Sequence, residues 1–285
     1  MMNTMPGNHS WPDMLLKITS WLCGLFIILF FGYLLFDIVL NGFSRIDLTF
    51  VTNSPLNAGR AGGIAPMLIS TLLILVLCLV ISLPIGVASA IYLAEYTGEK
   101  QWFSRFVRHS LNIIAGVPSI VMGLFGYAFF VIALQLGFSI LSGALTLACM
   151  VLPLLIRSIE DSLRMIPQGY RDNAHALGLS KWRTVFQILL PMASQGILLA
   201  IILSIGRAMA ETAALLYTSG YVTRMPESVL DSGRSLSVHI FDLSMNVPGG
   251  EQSAYASALT LIILLLMINS MTVFVSRVIK KGSIS

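Results

Sequence analysis

The chain has 285 residues, of which 56% are hydrophobic and 11% charged, with a formal net charge of +4. A soluble domain carries about 25% charged residues. So little polar surface cannot cover a water-facing globule, which excludes a soluble protein and leaves lipid as the solvent of most of the chain.

Six apolar stretches reach or approach the roughly 20 helical residues that cross a bilayer core of about 30 Å: residues 21–40, 67–93, 111–136, 138–156, 194–219 and 254–275. Residues 1–20 have the order of a leader's charged region. The apolar run behind them is longer than a leader's and has no small-x-small cleavage site, so it reads as a retained first span behind a short tail. A transmembrane domain is expected over residues 21–280. The runs are long and unbroken, which predicts helices, not the short alternating strands of a barrel. The fold class is therefore all-α, a polytopic membrane protein of six transmembrane helices. Little more than Gly137 separates the third and fourth stretches, predicting a tight hairpin. Pro84, Pro118 and Pro153 predict kinks, and Gly86, Gly116, Gly123 and Gly126 predict close helix approach. Cys23, Cys78 and Cys149 sit in apolar runs without a CxxC pair or a nearby histidine, and read as apolar side chains, neither disulfides nor metal ligands.

Basic residues orient the chain. Lys17, Lys100, Arg105, Arg108, Arg157, Arg164, Arg171, Lys181, Arg183, Arg277, Lys280 and Lys281 fall on one side, twelve in all. Arg45, Arg60, Arg224 and Arg234, four in all, fall on the other. The positive-inside rule makes the first side cytoplasmic, with both termini. The 220–253 loop is then external, long and polar, with Glu227, Asp231, Asp242 and Glu251. It is expected to hold short helices, and reads either as a solvated connector or as the surface for an extracytoplasmic partner.

The 157–193 loop is the largest on the cytoplasmic side. Pro167 is placed to start a helix, and the residues from Tyr170 to Leu177 read as a short amphipathic helix with Tyr170, Ala174 and Leu177 on one face. Gly178 supplies its terminal turn, Ser180 caps a second helix from Lys181, and Pro191 is expected to end the segment at the membrane surface. The spacing Asp172-Asn173-Ala174-x3-Gly178-x9-Ile188-x-Leu190-Pro191 resembles the EAA motif of ABC importer permeases. Asp172 stands where the family usually has Glu, and Asn173 where it has Ala; Gly178, Ile188, Leu190 and Pro191 match. The resemblance implies a type I importer-like permease whose short helix docks in a groove of a separate ATPase. Consistent with that, the chain has no GxxxxGK[ST] loop of its own.

The fifth stretch carries Arg207 with Glu211 four residues on, so both are expected on one face of one helix, Arg207 near the bilayer middle. An arginine there costs at least roughly 2.5–3.5 kcal/mol and must face protein or water. Either the two charges neutralise each other and hold helices together, or Arg207 lines an anion path while Glu211 orients it or pairs with a partner subunit. A guanidinium fork suits tetrahedral oxyanions. The surrounding GRAMAETAALLYTSG, residues 206–220, resembles the fifth span of the PstA-type family of phosphate importer permeases. The likeness extends over residues 20–280. It implies a phosphate path at Arg207, Glu211 and Thr212. It also implies a homologous PstC-like permease, a PstB-like ATPase dimer and a periplasmic phosphate-binding protein as partners in a bacterial inner membrane. ATP-Mg then belongs to the ATPase, with no cofactor, metal or nucleic acid on this chain. A permease for another oxyanion or small solute and a passive anion channel are the alternatives. An enzyme is disfavoured: His9, His109, His175 and His239 all lie in or beside loops, and no GxSxG elbow occurs.

Overall fold

The computed structural model describes residues 11–97 and 101–282. Lys100 and residues 1–10 of the expected tail lie outside the described residues, as do the side chains of Arg277, Lys280 and Lys281. The first helix, α1 (Trp11–Phe43), starts well inside the segment read as a tail. Asp47 caps the short α2 (Leu48–Thr52), its Oδ1 accepting from the Phe50 amide at 2.6 Å. A small antiparallel ribbon follows, β1 (Pro55–Leu56) against β2 (Ala61–Gly62). Helix α3 (Ala65–Ile91) passes through Pro84 without ending and widens into a π-helical turn at Tyr92–Tyr96.

The third predicted span is not one straight helix. α4 (Trp102–Ala115) and α5 (Ser119–Gly126), the latter prolonged by a π-helical stretch to Ala133, meet at a bend of 104°. Gly116 closes α4, and Pro118, with no N–H to offer, opens α5 with an extended ψ of 142°. Of the three predicted proline kinks, this is where the chain breaks; Pro153, like Pro84, lies within a continuous helix. The apolar run over residues 111–136 therefore straddles a corner. α4 is amphipathic and exposes Trp102, Phe103 and Phe106.

After the hairpin at Gly137 (φ +64°), α6 (Ile140–Arg164) runs well past the predicted span end. The expected 157–193 loop thus begins as helix. α7 (Gln168–Ala176) follows, then α8 (Lys181–Arg183), which continues through a π-helical turn at Thr184–Leu189 into α9 (Leu190–Ala210). Pro191 does not end this helix. The turn before it is wound wider, with the Leu190 amide reaching the Val185 carbonyl, and the helix accommodates the missing N–H. Short helices α10 (Ala213–Leu216) and α11 (Leu236–Met245) fill the next connection, and α12 (Glu251–Gly282) ends the described chain. Among the described residues five helices can cross a membrane, or six if the bent pair counts as one span.

Packing centres on α6, against α3 on one side and α9 on the other. Leu147, Val151, Leu155, Ile159 and Leu163, each four residues from the last, form a stripe at most 1% exposed. In lipid, burial of apolar surface gives little driving force, so close van der Waals fit must hold the helices together. Small residues allow it. A Cβ on Gly86 would lie 2.5 Å from Leu155 Cδ2, and one on Gly126 would collide with Thr146 and Thr218. Several buried hydroxyls bond a carbonyl four residues back: Thr146 Oγ1 donates to Ser142 O, Ser204 Oγ to Ala200 O and Thr218 Oγ1 to Ala214 O. α1 by contrast leans on α12, where Gly42 meets the Tyr255 carbonyl, and leaves its apolar surface exposed. Gly126→Val should lower the thermal midpoint in detergent, at a cost of about 1–3 kcal/mol, by forcing α5 off α6. Gly24→Val, with open space around it on α1, should leave the midpoint unchanged.

Candidate functional site

The bundle has two ends, one carrying α7 and the other α11. At the α7 end, charged side chains converge on the π-helical turn that closes α3. Glu160 of α6, 4% exposed, accepts at Oε1 from Arg108 Nε of α4 and from Arg164 Nε, each at 2.9 Å. Both guanidiniums also donate to the Leu93 carbonyl. Arg171 of α7 clasps Glu95, with Nη2 at 2.6 Å from Oε1 and Nε at 3.1 Å from Oε2. It also donates to the carbonyls of Leu163 and Ile166 at the end of α6. A buried carboxylate costs several kcal/mol unless it is paired and hydrogen-bonded; Glu95 is held by Arg171, and Glu160 by Arg108 and Arg164.

α7 is built much as the sequence implies, between Pro167 and a Schellman turn. The Gly178 amide donates to His175 O and the Leu179 amide to Ala174 O, with Gly178 at φ +73°, where a Cβ would be strained. Ser180 Oγ accepts from the Arg183 amide as a cap. The face differs from the one predicted. Ala174 is 1% exposed and turned inward, whereas Leu177 is 79% exposed and Tyr170, Asp172 and Asn173 also point outward. Most of this nine-residue helix is exposed; Ala174 is buried and Arg171 partly buried, and these two mark its inward side. Ile188 and Leu190 are half-buried against the core, and Pro191 is exposed. Trp182 and Phe186 lie in tilted contact, 3.9 Å between ring centroids, beside this surface.

The predicted Arg207–Glu211 pair on one helix does not exist. α9 ends at Ala210, and Glu211 is its cap with extended backbone (φ −71°, ψ 128°). The apolar run to residue 219 hides a break at Glu211 and Thr212. Arg207 stands in the last turn of α9, not mid-helix, where the negative end of the helix dipole favours a cation. It is half-buried, its Nε is buried without a hydrogen-bond partner, and no ion pair joins it to Glu211. Glu211 turns elsewhere: its Oε1 accepts from Ser119 Oγ at 2.9 Å, at the first turn of α5, and its carbonyl accepts from Ser237 Oγ of α11. Thr212 opens α10, which packs on α5 with Ala214 against Gly123. Two helix interruptions, one in the third span and one in the fifth, thus meet through Ser119 and Glu211. Sequence reading missed Ser119, Glu95, Arg108, Glu160, Arg164 and Arg171 as members of these clusters. Only Glu160 and Arg164, at i,i+4 spacing, left a local signal.

At the other end α11 is stapled to α3 by the Leu236 amide, which donates to Thr71 Oγ1 at 2.8 Å. Arg234 pairs with Asp242 at 2.8 Å. His239 is 1% exposed, its ring nitrogens have no hydrogen-bond partner, and Gly59 packs on its edge. Burial, and then the nearby Arg234 charge, push its pKa down to about 4, against the opposing pull of Asp242.

Residues 82–281 match the family described as "Binding-protein-dependent transport system inner membrane component", and the chain belongs to it. It is a multi-pass membrane protein of the ABC importer permease class. Among relatives, the chain is 35% identical over 270 residues to "Phosphate transport system permease protein PstA" of Yersinia pestis, covering 93% of this chain and 89% of that one. It is 32% identical over 247 residues to "Probable ABC transporter permease protein YqgI" of Bacillus subtilis (strain 168), covering 81% and 84%. Two solved structures share the fold. One is a bacterial ABC transporter involved in the import of the acidic polysaccharide alginate, with TM-score 0.67, 13% identity and coverage of 93% and 96%. The other is a bacterial alginate ABC transporter in complex with an alginate pentasaccharide-bound periplasmic protein, with TM-score 0.69, 14% identity and coverage of 96% and 99%.

His239 makes the fold's stability depend on pH. A histidine whose folded pKa is depressed contributes stability that is complete above its unfolded pKa near 6.5 and lost as pH falls toward about 4. The loss across that window should approach about 3 kcal/mol. Thermal midpoints in detergent at pH 7.5 and pH 4.5 should therefore differ less for His239→Leu than for the natural protein.

Proposed function

We propose that this chain is the permease subunit of an ATP-driven importer of inorganic phosphate and is itself not catalytic. Arg207 carries the proposal. A guanidinium with a buried, unpartnered nitrogen, held at a helix end inside a membrane protein, is a ready donor for an oxyanion leaving water. Its neighbour Glu211 is held back by Ser119, so the carboxylate is engaged and the cation is free of it. Thr212 adds a hydroxyl at the same break. The 35% identity to a phosphate permease over most of the chain supports phosphate as the anion.

In this scheme the chain pairs with a homologous, PstC-like permease, and a periplasmic phosphate-binding protein delivers the anion to the 220–253 loop. The twelve-to-four distribution of basic residues supports a cytoplasmic α7 end and cytoplasmic termini, in the inner membrane of a bacterial cell under this scheme. A PstB-like ATPase dimer, which holds ATP-Mg, docks on α7 through Tyr170, Asp172, Asn173 and Leu177. Ala174 and Gly178 set the helix and its turn, and Ile188, Leu190 and Pro191 seat the start of the next helix. ATP-driven closure of the motors pushes α7 and switches the side to which the path opens. This chain requires no cofactor or metal of its own.

In the complex reconstituted with inorganic phosphate, Arg207→Gln should lower uptake by a factor of about 100, the worth of roughly one strong charge-assisted hydrogen bond. The ATPase should still co-purify. Uptake at the natural rate in that variant, or uptake that survives ATP depletion, refutes the scheme. Sulfate or molybdate in excess should not compete. Separately, Leu177→Asp should strip the ATPase from the detergent-purified complex while leaving the permease folded.

A further inference from the structure

We infer that Arg171 is a positioning residue that locks α7 to the bundle core, so that force on α7 moves α3 and α6 as one body. The inference deepens the proposed docking of an ATPase on α7 and rests on it. The covalent connections of α7 are poor levers. Residues 165–167 join it to α6 and residues 177–180 to α8, and neither stretch is regular helix. Arg171 bypasses both. Its side chain is 13% exposed and its partner Glu95 6%, so water does not screen the pair as it would a surface salt bridge. Nη2 donates to the carbonyl of Leu163 in the last turn of α6, and Nη1 to that of Ile166 just past its end. Nε and Nη2 hold Glu95, beyond the end of α3 and 76 residues away in sequence.

One planar group therefore ties together the ends of three helices. A lysine cannot reproduce this, because a single ammonium cannot hold a carboxylate side-on and reach two further carbonyls in the same plane. The load is then shared. The Leu93 carbonyl, two residues before Glu95, receives Arg108 from α4 and Arg164 from α6. Motion of α3 at this point thus also reaches α4 and the broken span behind it.

The test uses the whole transporter in proteoliposomes with inorganic phosphate, and reads phosphate moved per ATP hydrolysed. Arg171→Gln, Arg171→Lys and Glu95→Gln should each lower this ratio by about tenfold, with the ATPase co-purifying in the natural amount. The Arg171→Gln, Glu95→Gln double variant should be no worse than either single variant. A purely structural role would instead lower the yield of folded protein, hydrolysis and transport in parallel, with the ratio unchanged. An unchanged ratio, or losses that multiply in the double variant, overturns the inference. A second measurement needs neither nucleotide nor phosphate. Amide hydrogen exchange over residues 168–177 of the full chain in nanodiscs should rise about tenfold in Arg171→Gln, with α3 and α6 unaffected. Equal exchange in the natural and variant chains overturns the inference even if no ATPase is recovered. Loss of the ATPase from the natural complex, with exchange behaving as stated, refutes the docking scheme alone.

Discussion

Three guanidiniums and two carboxylates meet at the end of α3, and the arrangement of the α7 end follows from that meeting. Each charge has been taken largely out of water, which is costly unless every lone pair and proton finds a partner. The partners come from α3, α4, α6 and α7, so the cost is recovered only when all four elements are in place. Glu160 accepts from both Arg108 and Arg164, and Arg171 holds both Glu95 and the Leu163 carbonyl in the last turn of α6. This mutual dependence ties α7, through its inward-facing Arg171, to the ends of α3 and α6. The apolar core below it is centred on α6, packed between α3 and α9.

Deeper in the bundle a different constraint governs. Lipid offers no partner for a free backbone group, so irregular backbone at membrane depth persists only where protein or a water path surrounds it. Both interruptions obey this. The corner at Pro118 and the break at Glu211 are set beside each other, bridged by Ser119, with α10 packed on α5 through the close approach of Gly123 and Ala214. Two helix ends of opposite dipole, the start of α5 and the end of α9, thus lie in the same region as Arg207. A straight fifth span would have carried Arg207 and Glu211 as a self-neutralising pair. The broken one separates them, and that separation gives the region its chemical character.

The sequence by itself determined the solvent of the chain, the number and order of its apolar segments, the turn at Gly178, and the caps at Pro167 and Ser180. Those features depend on composition over about 20 residues or on chemistry within a single turn, and both are local. Only the tertiary structure decided where the apolar runs break. Hydropathy averages over a window and does not register a lost hydrogen bond at Pro118 or a change of ψ at Glu211. It also decided the partners of the charges. Glu95 and Arg171 lie 76 residues apart, and Ser119 and Glu211 lie 92 apart. No periodicity within one helix encodes contacts made by helices that must first be packed side by side.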